Sequence, residues 1–268
     1  MFEDLDWEDP RPAGEVEDPV ERSARELLRD FFDRHRQQVY FSRQLEVQNE
    51  DRYFHWITNR AIRDLESEGM ILSERRNLQS GGTIKLLWNK KFRYHKREAA
   101  NLVELVNEYS APNIGAALGL QGEALILEGF ASIEFVMKGR DKKEYGGRVW
   151  TQSAHDVDFV FERDGKAYGI EVKNTLGYMD KEEFDIKINL CRSIGVRPII
   201  AARMLPRSWI NELIKAGGFA LIIKYQLYPW AHRDLAKKVR TELELPVDAP
   251  RRLSEGTMAR FLRWHLAL

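Results

Sequence analysis

A single cysteine, Cys191, stands in 268 residues. That excludes an intramolecular disulfide framework and any cysteine-based zinc cluster. Net charge is also absent: 42 lysines and arginines face 42 aspartates and glutamates, so the total announces neither a nucleic-acid nor a membrane partner. No apolar run approaches the ~20 residues of a membrane-spanning helix. No glycine-rich loop carries the lysine of a phosphate cradle, which argues against an ATP-driven motor. The opening residues MFEDLDWEDP are acidic and read as neither a signal nor a transit peptide, so a cytoplasmic protein is expected. What is there suffices for a packed core: 43% of residues are hydrophobic and 31% charged. The length suits one large domain or two ordinary ones.

The zero net charge hides a partition. Residues 1–21 hold nine acids and one base, and residues 22–97 hold 17 bases and 10 acids. The proline-bearing acidic start reads as a flexible tail. Two roles stand open for it, a solvated solubility tail or a mimic of DNA charge that folds over the basic block.

Residues 22–38 have Ala24, Leu27, Leu28, Phe31 and His35 at helical spacing. Ser42 is placed to cap a second helix through Gln48. A third helix is expected over 52–68, ending at Gly69, with Phe54, Ile57, Ala61 and Leu65 inward. Its other stripe is Trp56, Asn59, Arg60 and Arg63. MILSERRNL and TIKLLWNK then flank QSGG as two strands around a glycine turn. Three helices and a two-stranded wing resemble the winged-helix form of helix-turn-helix, over about 75 residues. The resemblance implies that the third helix enters the major groove of DNA. Arg60 and Arg63 would face bases or phosphates, with Trp56 and Asn59 as lesser candidates. Arg75, Arg76 and Lys85 on the wing would meet phosphates. The plain alternative is ordinary solvated charge on a protein-docking winged helix.

Residues 98–109 and 113–128 read as helices, ASIEFVM (131–137) as a strand and 138–147 as a polar loop. From 157 the pattern is strand, turn, strand, helix, strand, helix, strand, which argues for a mixed α/β sheet. The helices fall at about 180–193 and 207–216. AHRDLAKKVRTELEL adds a helix, and SEGTMARFLRWHLAL adds another whose Met258, Phe261, Leu262, Trp264 and Leu266 should pack on the sheet.

The chemistry concentrates in HDVDFVFERDGKAYGIEVKN, residues 155–174. Asp164-Gly165 between apolar runs is a strong hairpin signal. A two-residue type I′ turn pairs Arg163 with Lys166, Asp158 with Glu171 and Asp156 with Lys173. One face is then Val157, Phe159, Phe161, Tyr168, Ile170 and Val172. The other gathers Asp156, Asp158, Glu171 and Lys173 within roughly 5–8 Å. Like charges at ~4 Å repel by on the order of 4 kcal/mol at an effective dielectric of 20. Three things would relieve this: a hard divalent cation, a carboxyl that keeps its proton, or a slipped register. Upstream, GLQGEALILEGF (118–130) puts Glu123 on one helical stripe with Ile126, Leu127 and Phe130. A buried carboxylate there needs a partner or a metal, unless it only favours a helix N-terminus.

Asp158, then Glu171-Val172-Lys173 on the second arm of a hairpin, with Gly122-Glu123 upstream, resembles the PD-(D/E)XK nuclease superfamily. Its restriction-endonuclease-like and Holliday-junction-resolvase-like branches are the nearest in pattern. Val157 stands where the motif name has proline, and Asp156 competes with Asp158 for the motif position. The resemblance covers about 110–230 and implies an α-β-β-β-α-β core. It implies that Asp158, Glu171 and the Val172 carbonyl bind Mg²⁺ or Mn²⁺, with Glu123 joining directly or through water. It also implies that Lys173 orients water and stabilises phosphate charge, and a homodimer is expected by analogy. His155 would be a further contact, or a strand-edge histidine without a role. Lys181 and Lys187 on the next helix would hold phosphate or, as is usual, be solvated helix charges. Cys191 reads as core, and Asp180 with Glu183 as a capping box.

The sequence thus points to a tail (1–21), a winged helix (22–97) and a nuclease-like domain (98–268). Together they would form a metal-dependent endonuclease acting on duplex or branched DNA, away from any membrane. The rivals are a DNA-binding regulator with an unused nuclease fold and a nuclease of structured RNA.

Overall fold

The computed structural model describes residues 18–268, so the acidic tail lies outside the described residues except for its last four. The protein is mixed α/β and divides into two units. The first takes the described residues up to Gly115 and then Lys238–Leu245, and the second takes Ala116–Lys237 and Pro246–Leu268. The boundary expected at 97 therefore moves past the next helix, and a short later segment returns to the first unit.

In the first unit, α1 (Pro19–Arg34) starts at Asp18, whose side chain accepts the Val20 N–H at 2.8 Å. Pro19 sits in the first turn, where its missing N–H costs nothing. The helix stops four residues short of the expected end, because Val39–Phe41 forms a strand, β1. In α2 (Ser42–Asn49) the N-cap is Phe41, not Ser42, whose hydroxyl reaches the Lys85 carbonyl instead. Next come α3 (His55–Ser67), β2 (Ile71–Asn77) and β3 (Thr83–Asn89). Gly69 follows α3 with φ +66°, the left-handed conformation that ends a helix. The sheet order is β1-β3-β2, antiparallel throughout. β1 has three residues, too few for an alternating pattern to declare itself. Ala24, Leu28, Phe32, Leu45, Ala61, Ile62, Leu65 and Leu87 form the core. α4 (His95–Tyr109) buries Leu102, Leu105 and Val106 and stacks His95 on Trp88 at 4.3 Å.

α5 (Pro112–Ser132) leads into the second unit. Among the described residues it is the one helix long and apolar enough to cross a membrane by length and composition, which corrects the expectation that none comes close. Its Ile126 and Phe130 are fully buried in the second unit's core. The strand expected at 131–137 starts later. α5 runs to Ser132, Glu134 turns with φ +63°, and β4 (Val136–Lys142) bulges between Met137 and Gly139. The polar loop expected at 138–147 is instead the second part of β4, up to Lys142, followed by the small hairpin β5 (Glu144–Tyr145) and β6 (Arg148–Val149). Then follow β7 (Val157–Arg163), β8 (Lys166–Lys173), α6 (Lys181–Ile194), β9 (Arg197–Ala202), α7 (Arg207–Lys215) and β10 (Phe219–Ile222). The chain closes with β11 (Gln226–Leu227), α8 (Arg233–Glu242), β12 (Val247–Asp248) and α9 (Glu255–Leu266).

The sheet order is β10-β9-β8-β7-β4, with β8, β9 and β10 parallel and β7 antiparallel to both neighbours. Phe159, Phe161, Tyr168 and Ile170 pack with Phe130, Met258 and Phe261, and partly buried Leu262 and Trp264 lie against them. Leu266, expected on the sheet, is instead 64% exposed, since it ends the last helical turn. His265 is buried between Asp164 and Tyr168, at 3.0 and 2.6 Å, and ties α9 to the β7–β8 turn.

Candidate active site

The β7–β8 hairpin sets the site. Asp164 and Gly165 have φ of +51° and +70°, the pair of left-handed residues that a type I′ turn requires. The ladder runs from Arg163↔Lys166 to Phe159↔Ile170 in the expected register. One step further the strands are joined by a side chain: Asp158 Oδ2 accepts the Val172 N–H at 2.6 Å. N–H and C=O of one extended residue point to the same side, so the Val172 carbonyl also faces the β7 side.

Glu171 is 3% exposed and lies between two ammonium groups. Its Oε1 is 3.3 Å from Lys173 Nζ, and its Oε2 is 2.6 Å from Lys187 Nζ. Even so, Oε2 accepts no well-aligned hydrogen bond. Lys187 Nζ donates to the Asp156 carbonyl at 2.5 Å, and Lys173 Nζ donates to Glu183 Oε1 at 2.7 Å. Burial pushes the Asp158 carboxyl up to about 7; Glu171 and Glu123 add to the shift, while the Val172 N–H and Lys187 oppose it. Burial also raises Glu171, against the pull of Lys187 and Lys173. For Lys173 burial works downward, but the hydrogen bond to Glu183 and the charges of Glu171 and Glu183 prevail and raise it. Lys173 therefore stays an ammonium at neutral pH.

Several expectations need correction. Lys187 is no solvated charge: it is 5% exposed. It shares the stripe Phe184, Lys187, Ile188, Cys191, Ile194, all buried, and that spacing was the sequence signal for it. Asp180 does cap α6, accepting the N–H groups of Glu182 and Glu183, but the Glu183 carboxylate serves Lys173. Asp156 precedes β7 and offers its carbonyl to Lys187, so Asp158 is the acid that meets β8. Glu123 is half-buried at the site's edge rather than sunk in the core, and pairs with Arg140 at 2.6 Å. His155 turns to Ser153, with Nδ1 at 3.0 Å from its hydroxyl. Among the described residues no three carboxylate, imidazole or thiolate side chains converge as a ready metal cluster. The three-acid patch is thus reduced to Asp158 and Glu171, with Glu123 felt through its charge.

Two positions hold this corner against α5. A Cβ on Gly122 would lie 2.7 Å from Asn174 Cβ and 3.3 Å from Val172 Cγ1. Asn174 Nδ2 donates to the carbonyls of Leu118 and Leu227, each at 2.7 Å, and its Oδ1 accepts the Leu227 N–H at 2.6 Å. Nothing in the spacing of Asn174 points to this role.

The donor set fits a hard divalent cation. Asp158 Oδ1 has no partner among the described residues. Glu171 Oε2 is a buried oxygen without an aligned donor, and burial holds both carboxyls above their ordinary range, helped at Asp158 by the charge of Glu171 and opposed at Glu171 by Lys187 and Lys173. Carboxylate and carbonyl oxygens are the ligands that Mg²⁺ and Mn²⁺ select.

In the first unit the expected DNA-facing stripe is largely engaged. Asn59 is 8% exposed; it donates to Glu46 at 3.1 Å and accepts from Arg63 at 3.0 Å, so it faces the protein. Arg60 pairs with Glu21 at 2.5 Å and lies over the Trp56 ring. Trp56 itself is 36% exposed. Arg75 and Arg76 are exposed on β2, with Arg76 3.0 Å from Glu74. Lys85 stands opposite Arg75 across the hairpin and pairs with Glu66 at 2.6 Å. Comparison with protein-family models, curated proteins and solved structures found no match for the chain.

Proposed function

We propose that the protein is a divalent-metal-dependent DNA endonuclease with a restriction-endonuclease-like second unit, targeted to duplex DNA by a winged helix. The observation that carries this reading is the meeting of Asp158 with Val172, beside Glu171 and the protonated Lys173, at one end of a hairpin. The order α5-β4-β7-β8-α6-β9 around a mixed sheet supports the nuclease fold, with the small β5–β6 hairpin as an insertion. The order α1-β1-α2-α3-β2-β3, with β2–β3 as a wing, supports the winged helix.

Asp158, Glu171 and the Val172 carbonyl are the groups that would hold the cation, with Glu123 at the margin. A bound Mg²⁺ or Mn²⁺ supplies an activated water and neutralises phosphate charge. Lys173 contributes fixed positive charge beside the scissile phosphate and holds no free base, since Glu171 and Glu183 keep its proton in place. Glu183 positions Lys173. Arg75 and Arg76 give the wing its phosphate contacts, with Trp56 at the start of α3, while Lys85 is held by Glu66. A homodimer is the arrangement that lets one site per chain cut both strands.

The test is incubation with supercoiled, linear, branched and single-stranded DNA in Mg²⁺ or Mn²⁺, with structured RNA alongside. Nicking or cutting of DNA that EDTA stops, and that Asp158→Asn and Lys173→Ala each lower by 100-fold or more, is the expected result. Cleavage indifferent to both substitutions overturns the assignment, and cleavage of RNA alone moves it to that substrate. One observation favours a second reading, a DNA-binding protein with an unused site: Lys187 already neutralises Glu171 from within. DNA binding without cleavage of any substrate selects that reading.

A further inference from the structure

We propose that Trp230, Arg233 and Arg251 form a separate nucleic-acid contact in the second unit, a clamp for an unpaired DNA strand. β11 and β12 run parallel, with Leu227 opposite Asp248. Trp230 and Arg251 each lie three residues beyond that pair, and the equal offset brings them together. The Arg251 guanidinium carbon is 4.5 Å from the indole centre, and that of Arg233 is 5.2 Å away. Trp230 is 47% exposed, and both arginines are exposed. Arg251 has no ion-pair partner among the described residues, and Arg233 has only Asp234 at 3.8 Å. Arg252 adds a further exposed cation, 3.1 Å from Glu128.

No core is served by this cluster. An exposed indole contacted by two guanidiniums, with little carboxylate to neutralise them, is complementary to a strand that offers both anions and π-faces. Guanidinium groups bind phosphate through paired N–H donors. Indole and guanidinium planes stack on bases, and such stacking tolerates any sequence. Duplex DNA hides its base faces, so the combination selects a strand whose bases are unstacked. The clamp is anchored to the candidate active site. Asn174, next to Lys173, fixes Leu227 through two hydrogen bonds, three residues before Trp230. The inference deepens the nuclease reading and rests on it for the purpose of the clamp, but binding is measured without cleavage.

The experiment is fluorescence anisotropy of labelled oligothymidylate of about 20 nucleotides, with a blunt duplex of equal length and oligouridylate alongside. It uses the full chain in EDTA, with circular dichroism as the folding control. Trp230→Ala and Arg251→Ala are each expected to weaken oligothymidylate binding five-fold or more and to spare duplex binding, while Trp230→Phe retains most of the affinity. Arg233→Ala and Arg251→Ala should each lower the slope of log K against log salt by about 0.7. Folded variants with unchanged oligothymidylate affinity and slope overturn the clamp, as does a wild-type chain that does not bind oligothymidylate. A marked preference for oligouridylate overturns its assignment to DNA. If plasmid is cleaved while the variants bind like wild type, the clamp alone fails. If the clamp binds as expected and no DNA is cut, the nuclease reading alone fails.

Discussion

Glu171 is a buried carboxylate whose charge is held by two lysines from different elements, and Lys187 is the one at closest approach. Removing one partner of a buried pair leaves the other charge uncompensated, at a cost of about 3–5 kcal/mol. Lys187→Met should therefore lower the free energy of unfolding by about 3 kcal/mol, read from urea denaturation. Adding Glu171→Gln in the same chain should recover more than half of that loss; no recovery would show that Lys187 acts through packing alone. Asp158 gives a pH signature. Its carboxyl titrates near 3.8 when unfolded and about 7 when folded. Between those values the unfolded chain releases its proton first, so stability falls as pH rises from about 4 to about 7 and then levels. The contribution is on the order of 2–4 kcal/mol. Unfolding midpoints at pH 5 and pH 8 should differ by much less in Asp158→Asn than in the parent. At this scale the sequence was half legible. The hairpin register brought Asp158 to the end of β8, but the expected pairs Asp158–Glu171 and Asp156–Lys173 are not in the ladder, which ends at Phe159↔Ile170; Asp158 meets the Val172 N–H instead. Glu183 was hidden behind a capping role, and Glu123 was drawn away from the core by Arg140, a partner 17 residues on that no local pattern shows.

The hairpin was legible as an element because Asp164-Gly165 dictates its turn and two-residue alternation dictates its faces from Phe159 onward. Val157, expected beside Phe159, lies instead in the core of Val160, Leu190 and Cys191, because the paired ladder ends at Phe159. The end of β8 depends on something less visible, the close approach of α5. Gly122 and Gly119 share that helix and differ in what lies above them. A Cβ at Gly122 would strike Asn174, whereas one at Gly119 would meet nothing within 4 Å. Gly119→Ala should stabilise the chain by about 0.5–1 kcal/mol through helix propensity. Gly122→Ala should destabilise it by about 1–3 kcal/mol through overpacking. Thermal unfolding of the two variants separates these signs, and equal shifts in one direction would remove the close approach as the reason for Gly122. β1 and β4 were misread for a physical reason too. β1 has three residues and is defined by pairing with β3, 45 or more positions later. β4 is an exposed edge strand whose bulge at Met137/Gly139 breaks the two-residue period.

For the molecule as a whole, charge is organised along the chain rather than in its sum. Residues 1–17 carry seven acids and one base, ahead of a first unit whose arginines and lysines are widely engaged by its own carboxylates, as with Arg60 on Glu21 and Lys85 on Glu66. On the proposed reading, those internal pairs would reduce the charge that the first unit offers to phosphates, and the negative charge of residues 1–17 would oppose what remains. Deleting residues 1–17 removes a net six negative charges and leaves a chain that is net positive by six. Affinity for duplex DNA should then rise several-fold at about 50 mM salt, where screening is weak. The gain should shrink towards nothing at about 300 mM, because only long-range repulsion is being relieved. Titrations of the full chain and the deletion across that range provide the measurement. A gain that persists at high salt would mean that the segment occupies the DNA-binding surface directly. Equal affinities at low salt would leave it a solubility tail.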